Sequence, residues 1–334
     1  MTAAAAPPFS ITTGILSLVE QIGEAIGRAE AAVPGMDFRL RREARVRTVH
    51  GSVAIEGNAL SEEQVSAILD GKRVLGPPRD VQEVRNAIAA YDRAEDWVPS
   101  SESDLLAAHE VLMGGLAQTP GRYRAGEVGV VGPKAVHHIG PPAERVPELM
   151  AELLAWLRET REHPLIASSV FHYEFEFIHP FEDGNGRLGR LWQTLILTRW
   201  KQLFSHVPVE SVVRARQSDY YAAIERSSGA GESTFFIRFM LEAILDAVRE
   251  GSPQEPPHVS PQVERLLRVL DGEMSRREVL EALGLRDRKW LRQAYLGPAL
   301  KDGLIEMTRP ETPSARNQRY RLTPAGRHRR GRTP

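Results

Sequence analysis

Ile178-His179-Pro180-Phe181-Glu182-Asp183-Gly184-Asn185-Gly186-Arg187-Leu188-Gly189-Arg190 joins two stretches of helical apolar periodicity, Leu165 to Phe177 and Gly189 to Trp200. The segment reads as a loop between helices that packs a base, a carboxylate, a glycine-rich turn and two arginines together. Gly184, Asn185 and Gly186 can take backbone angles that aim successive N–H groups into one concavity, and that concavity opens a helix where the macrodipole is positive. Such a turn is an anion cradle. Arg187 and Arg190, at i and i+3 in the first turn, lean toward the helix N-terminus, so both guanidinium groups are expected to reach one phosphate chain. Asp183 offers a hard oxygen ligand for Mg²⁺, an ion that usually takes one or two carboxylates plus substrate phosphates. His179, expected to be held extended by Pro180, has an ordinary pKa near ~6.5, suited to taking a proton from a hydroxyl near neutral pH.

Working outward, apolar residues recur at helical spacing in Ile15 to Ala32, Glu63 to Leu69, Val81 to Trp97, Ser103 to Leu116, Val146 to Arg158, Ser218 to Ser227 and Ser233 to Val248. Only Arg124 to Pro142, where valines sit among glycines and prolines, reads as a short two-stranded flap. The adjacent His137 and His138 point to opposite faces of a strand and are left out of the site. Gly251 to Pro261 is proline-rich and reads as a linker. Beyond it, three helices (Gln262 to Leu270, Ser275 to Leu283, Asp287 to Asp302) precede a hairpin made of Leu304 to Met307 and Arg319 to Leu322, the order of a winged helix. Pro298 is expected to kink the third of these helices.

At 334 residues with 43 Lys+Arg against 44 Asp+Glu, the chain has no global charge that would draw it to nucleic acid, acidic partners or anionic membranes. It contains no cysteine, which excludes disulfides, thiolate metal sites and thiol nucleophiles. No run reaches the roughly 18 apolar residues of a membrane span, and Met1 to Pro8 lacks a basic leader region, so a cytoplasmic location is expected.

The segment from His179 to Arg190 matches HPFxDGNGRxxR, and through it the chain resembles the Fic (Fic/DOC) family. The resemblance implies an all-α, Fic-domain helical bundle with a short β-hairpin flap, followed by the C-terminal winged helix. The expected division is residues 1–110 as an N-terminal helical region, 111–250 as the Fic core, 251–261 as linker and 262–334 as the winged helix. It implies transfer of AMP from ATP to a Ser, Thr or Tyr hydroxyl of a protein, with Mg²⁺ as cofactor. His179 would be the base and Asp183 the Mg²⁺ ligand. Asn185 and the N–H groups around Gly184 and Gly186 would bind the α- and β-phosphates, with Arg190 on the γ-phosphate and Arg187 supporting the same site. Phe181 reads as an apolar anchor. Tyr123-Arg124, Val128, the run Lys134 to Pro142, then Val146, Leu149 and Met150 resemble the family's target groove. By the same analogy a homodimer is an expected assembly.

A second motif lies upstream in Ser52-Val-Ala-Ile-Glu56-Gly57-Asn58. Ser52 and Glu56 fall at i and i+4 on one face of an expected short helix that Gly57 ends. A carboxylate at the negative end of a helix costs roughly a few tenths of a kcal/mol unless a cation answers it. The motif resembles the family's inhibitory S/T-x-x-x-E-G/N, which would pair Glu56 with Arg190. The phosphate cradle leaves open a different donor, removal of AMP with Glu56 orienting water, or a nucleotide-sensing regulator that binds DNA. The last draws on a basic third helix (Arg286, Arg288, Lys289, Arg292) and a basic tail (Arg316, Arg319, Arg321, Arg327, Arg329, Arg330, Arg332).

Overall fold

A computed structural model describes residues 6–32, 38–127, 129–131, 136–251, 260–312, 315 and 317–330. Val128, residues 132–135, most of the expected linker, Arg316 and Arg332 lie outside them. The chain divides into two compact units, Met1–Pro253 and Gln254–Pro334. The division falls inside the stretch whose prolines mark it in the sequence.

In the first unit, helices α1 (Thr13–Ala32), α2 (Phe38–Ile55), α3 (Glu62–Leu69), α4 (Pro78–Asp92) and α5 (Glu102–Met113) precede the strands β1 (Gly129–Val131) and β2 (Val136–Ile139). The helices α6 (Val146–Glu159), α7 (Pro164–Ile178), α8 (Asn185–Trp200), α9 (Val209–Ala215), α10 (Gln217–Ala230) and α11 (Thr234–Gly251) complete it. The two strands pair antiparallel, Gly129 opposite Ile139, with an irregular register between Val130 and Val131. This is the flap.

The centre is the α7–α8 pair. Every α7 side chain from Leu165 to Tyr173 is buried, the polar Ser168, Ser169 and His172 included, so the helix is enclosed on all sides. One hydrophobic core runs from Ile15 of α1 through Phe171 and Leu191 to Val248 of α11. Helix α1 packs along α11, and α2 packs on α9 and α4. Residues 1–110 and 111–250 therefore share one core rather than forming a region and a separate body.

In this unit two elements differ from the expectation. The short helix expected around Ser52 is the end of an 18-residue helix, α2, and α9 was not foreseen. Helix α2 reaches α9 at Gly51, where an added Cβ would lie 2.7 Å from the backbone carbon of Glu210 and from the backbone nitrogen of Ser211. Only glycine admits that approach.

The second unit holds α12 (Pro261–Val269), β3 (Met274–Ser275), α13 (Arg276–Ala282), α14 (Arg288–Trp290), α15 (Gly297–Lys301), β4 (Ile305–Met307), β5 (Arg319–Leu322) and α16 (Pro324–Arg330). Its antiparallel sheet has the order β3-β5-β4 and closes over a core that includes Leu266, Val279, Leu291 and Tyr320. Leu291–Leu296 forms a π-helical turn between α14 and α15. Instead of a simple kink at Pro298, the chain widens by one residue per turn. Gly297 N–H then donates to Arg292 O, and the ring of Pro298, which has no N–H, is accommodated.

Candidate active site

Helix α7 ends at His179, whose φ of 50° and ψ of 60° make it the sole non-glycine residue with positive φ among those described. The expectation of an extended His179 is thus corrected. The residue caps α7 in the left-handed conformation, its N–H still bonded to Phe175 O at 2.9 Å, before Pro180 turns the chain away. Its Nδ1 faces the carbonyl of Glu176 at 3.4 Å and the Glu176 carboxylate at 4.0 Å. Both can only accept, so Nδ1 carries the hydrogen and Nε2 keeps its lone pair. Burial lowers the His179 pKa below its ordinary value, against the opposing pull of Glu176.

The following loop is fixed from three sides. Phe181 is fully buried and stacks on His109 with ring centroids 3.6 Å apart. His109 Nδ1 accepts from Gly121 N–H at 2.8 Å, so its Nε2 hydrogen donates to Asp183 O at 2.9 Å. Burial pushes the His109 pKa down to about 4, so the ring is neutral near pH 7. Gly184 has φ 88°, and an added Cβ would meet Met113 Sδ at 2.6 Å. Arg124, 3% exposed, donates to the carbonyls of His179 (2.8 Å), Gly126 (2.8 Å) and Pro141 (2.5 Å). Rather than lining a groove, it ties the loop to the base of the flap.

Two motif residues are committed differently from the expectation. The Asn185 side chain closes on the loop itself, accepting from Phe181 N–H at 3.0 Å and donating to Phe181 O at 2.9 Å. What remains for a phosphate is its backbone N–H, in a helical first turn whose N–H groups lack intrahelical acceptors. Arg187 turns away from Arg190. It pairs with Glu83 of α4 and donates to Asp183 Oδ1 at 2.5 Å. In this structure it holds Asp183 and shares no partner with Arg190.

Asp183 Oδ1 also accepts from Gly184 N–H, and Oδ2 accepts from the exposed Arg79 at 3.0 Å. A half-exposed carboxylate with one oxygen fixed and the other held by a surface cation fits a single Mg²⁺ ligand whose remaining positions go to phosphate and water. Among the described residues no cluster of three or more His, Asp or Glu could hold a metal without substrate.

Glu56 lies at the end of α2, in a Schellman turn where Gly57 N–H bonds Ala54 O at 3.1 Å and Asn58 N–H bonds Val53 O at 3.2 Å. The turn frees Ser52 O. Arg190, 3% exposed, answers both groups through one nitrogen, donating to Glu56 Oε1 at 2.7 Å and to Ser52 O at 2.9 Å. A Cβ on Gly186 would collide with Glu56 Oε1, so the carboxylate rests directly on the first turn of α8. Asn58 continues the link by donating to Glu83 Oε2 at 2.7 Å, the carboxylate that also holds Arg187.

His109 and Glu83 carry no motif signal, because each acts across helices distant in sequence, where spacing along one helix says nothing; Glu176, three residues before His179 on α7, stands outside the motif. In the second unit, Arg286, Arg288, Lys289 and Arg292 are exposed with no ion pair among the described residues. The tail is largely consumed within the unit: Arg321 pairs with Glu306 and Glu273, Arg319 with Glu278, Arg329 with Glu264, while Arg327 and Arg330 donate to backbone carbonyls.

Residues 99–197 match the family model described as the Fic/DOC family, and residues 261–323 match that of the filamentation induced by cAMP protein Fic-like, C-terminal domain. Among curated relatives, the protein adenylyltransferase Fic of Nematostella vectensis is 30% identical over 225 residues, covering 63% of this chain and 50% of its own length. That of Culex quinquefasciatus is 28% identical over 230 residues, covering 64% and 43%. The chain thus spans about half the length of these relatives. The solved Fic-1 (residues 134–508) from C. elegans superposes with a TM-score of 0.58 at 24% identity, covering 71% of this chain and 72% of the other. The crystal structure of a Fic family protein from Desulfovibrio desulfuricans G20 is 53% identical, covers 96% of this chain and 99% of its own, and superposes with a TM-score of 0.71. With that likeness along nearly its whole length, and with the loop built as described, the chain belongs to the Fic family.

Proposed function

We propose that this protein is an adenylyltransferase that moves AMP from ATP to a Ser, Thr or Tyr hydroxyl of a protein and that Glu56 holds it in check. The observation that carries this reading is the meeting of a base with a free lone pair, His179, and an anion seat built from the α8 N-terminus and buried Arg190. The names of the curated relatives support it. His179 Nε2 takes the hydroxyl proton. The hydroxyl oxygen bonds to the α-phosphorus, the bond from that phosphorus to its bridging oxygen breaks, and pyrophosphate leaves. The N–H groups of Asn185 and Gly186 face the anion, and Arg190 holds the terminal phosphate. Asp183, oriented by Arg187 and His109, would hold Mg²⁺, which when bound would offset the charge of the phosphate oxygens.

Glu56 rests where the terminal phosphate would sit, so a nucleotide must displace it or bind out of place. A cytoplasmic setting accords with ATP as donor. The test is transfer of label from α-phosphate-labelled ATP to protein: His179→Ala should abolish it while nucleotide binding and the melting temperature are retained. Labelling that persists in His179→Ala would overturn the assignment.

The unpaired cations Arg286, Arg288, Lys289 and Arg292 favour one further reading, a duplex-binding face on the second unit. Four phosphate contacts predict a slope of log K against log salt near about −3.6. Duplex affinity that does not change with salt would remove this reading.

A further inference from the structure

Glu176 sits where a carboxylate is hardest to keep. Its side chain is 11% exposed, it lies in the last turn of α7 at the negative end of the helix dipole, and Oε1 is shielded from solvent with no hydrogen-bond partner. Its structural neighbour on the same helix is His172. His172 Nε2 lies 3.8 Å away but accepts from Tyr220 O–H at 3.1 Å, while His172 Nδ1 donates to Gln193 Oε1 at 2.6 Å. His172 thus makes its hydrogen bonds to Tyr220 and Gln193, with the Glu176 carboxylate beside the ring. Gly189 of α8 also keeps the space clear, since a Cβ there would lie 3.0 Å from the His172 ring and 3.4 Å from Glu176 Oε1. Burial alone would raise the Glu176 pKa, yet His172, His179 and Arg190 outweigh it and hold the carboxyl below its ordinary value. The groups that answer this anion are His172, His179 once it is protonated, and Arg190, whose Nε is likewise without a partner.

We propose that Glu176 is a positioning residue for the transfer reaction: its buried carboxylate, beside Nδ1 of His179, holds the imidazole with Nε2 toward the substrate and stabilises the imidazolium formed when Nε2 takes the hydroxyl proton. The inference rests on the AMP-transfer reading of the site. The charged groups that act on His179 from the elements around it are Glu176 itself, Arg124 before the flap and Glu56 at the end of α2. Arg124 disfavours the imidazolium. Glu56 favours it but must leave for ATP to bind, so in the working state Glu176 is the remaining carboxylate beside the ring. The proton itself moves only from the hydroxyl to Nε2, and Glu176 stays ionised throughout.

The experiment compares Glu176→Gln and Glu176→Asp in a Glu56→Gly background. Each is read by the pH profile of labelling and by NMR titration of the His179 ring C–H signals, assigned by their absence in His179→Ala. For Glu176→Gln we expect the acid limb and the ring pKa to move down by about one unit. The plateau kcat should fall on the order of tenfold because the base is weaker, with no rise in the KM for ATP. Glu176→Asp should recover part of both. A lower plateau with an unmoved limb and unmoved ring titration overturns the proposal, as does a rise in KM alone, since either marks a purely structural role. Should the Glu56→Gly parent label nothing, the transfer reading fails by itself and the NMR titration decides: a lowered ring pKa supports the placement of Glu176, an unchanged one overturns it. If Glu176→Gln does not fold, Glu176→Asp is judged on the same titration, with a smaller downward shift expected and no shift overturning.

Discussion

Replacing Glu56 by glycine should make the protein less stable and more active, and the two effects have one origin. Arg190 is almost completely enclosed, whereas the Glu56 side chain keeps 32% of its exposure, so the 2.7 Å contact joins a buried cation to a partly wetted carboxylate. A charge-assisted hydrogen bond of this kind contributes about 2 kcal/mol. Removing Glu56 leaves Arg190 with Ser52 O and the nearby carboxylate of Glu176, so the apoprotein should lose about 1–2 kcal/mol of stability. A terminal phosphate no longer has to displace the carboxylate, and the same ~2 kcal/mol returns as about 30-fold in kcat/KM for ATP. ATP should therefore raise the melting temperature of Glu56→Gly by more than it raises that of the parent. Labelling with α-phosphate-labelled ATP and thermal melts with and without nucleotide measure both halves. A folded Glu56→Gly that labels no faster than the parent and gains no extra protection from ATP would refute the competition between Glu56 and phosphate.

Other outcomes follow from the same contacts. Gly51→Ala forces α2 off α9 by several tenths of an ångström, one turn from Glu56. It should cost about 1–3 kcal/mol of stability yet raise labelling severalfold, and a destabilised variant with unchanged labelling would separate the helix contact from the brake. Because the His109 pKa falls from ~6.5 in the unfolded chain to about 4 in the fold, the unfolded state binds the extra proton between those values. Stability at pH 7 is then complete with respect to this group and declines by roughly 3 kcal/mol as the pH drops from 6.5 to 4. His109→Gln should flatten that part of a denaturant-measured stability profile. Arg79→Ala frees Asp183 Oδ2. It should lower the Mn²⁺ or Mg²⁺ concentration needed for ATP-dependent binding by a fewfold, measured by calorimetry, and an unchanged requirement would show that Arg79 does not compete with the ion.

The loop from His179 to Arg190 was legible because its chemistry is local: glycines, a proline and an asparagine fix a turn whatever surrounds them. Its details were not. Arg187 and Arg190 share a helical face by spacing, but Glu83 and Glu56 draw them apart, and both carboxylates come from helices far upstream. Helix α2 escaped the periodicity reading because its arginines face neighbours as well as solvent. Arg42 pairs with Asp70, Arg45 with Asp92 and Arg47 with Glu250, so charge is spread around the helix instead of lying on one face. Helix α9, only seven residues long, is too short for a period to register. In the second unit a proline argued for a kink, whereas the π-turn absorbs it.

Because Val46, Val49 and Val53 of α2 lie in the same core as α7 and α8, Glu56 is not carried by a detachable subunit. Under the proposed inhibition, blocker and catalyst are always present in equal number, and dilution, dissociation or degradation of one without the other cannot change the output. Release must come from motion within one molecule, and the Schellman turn at Glu56 to Asn58 is its natural hinge. The setting of such a switch is an intramolecular equilibrium constant, fixed by sequence, and it is read out at any concentration of the protein.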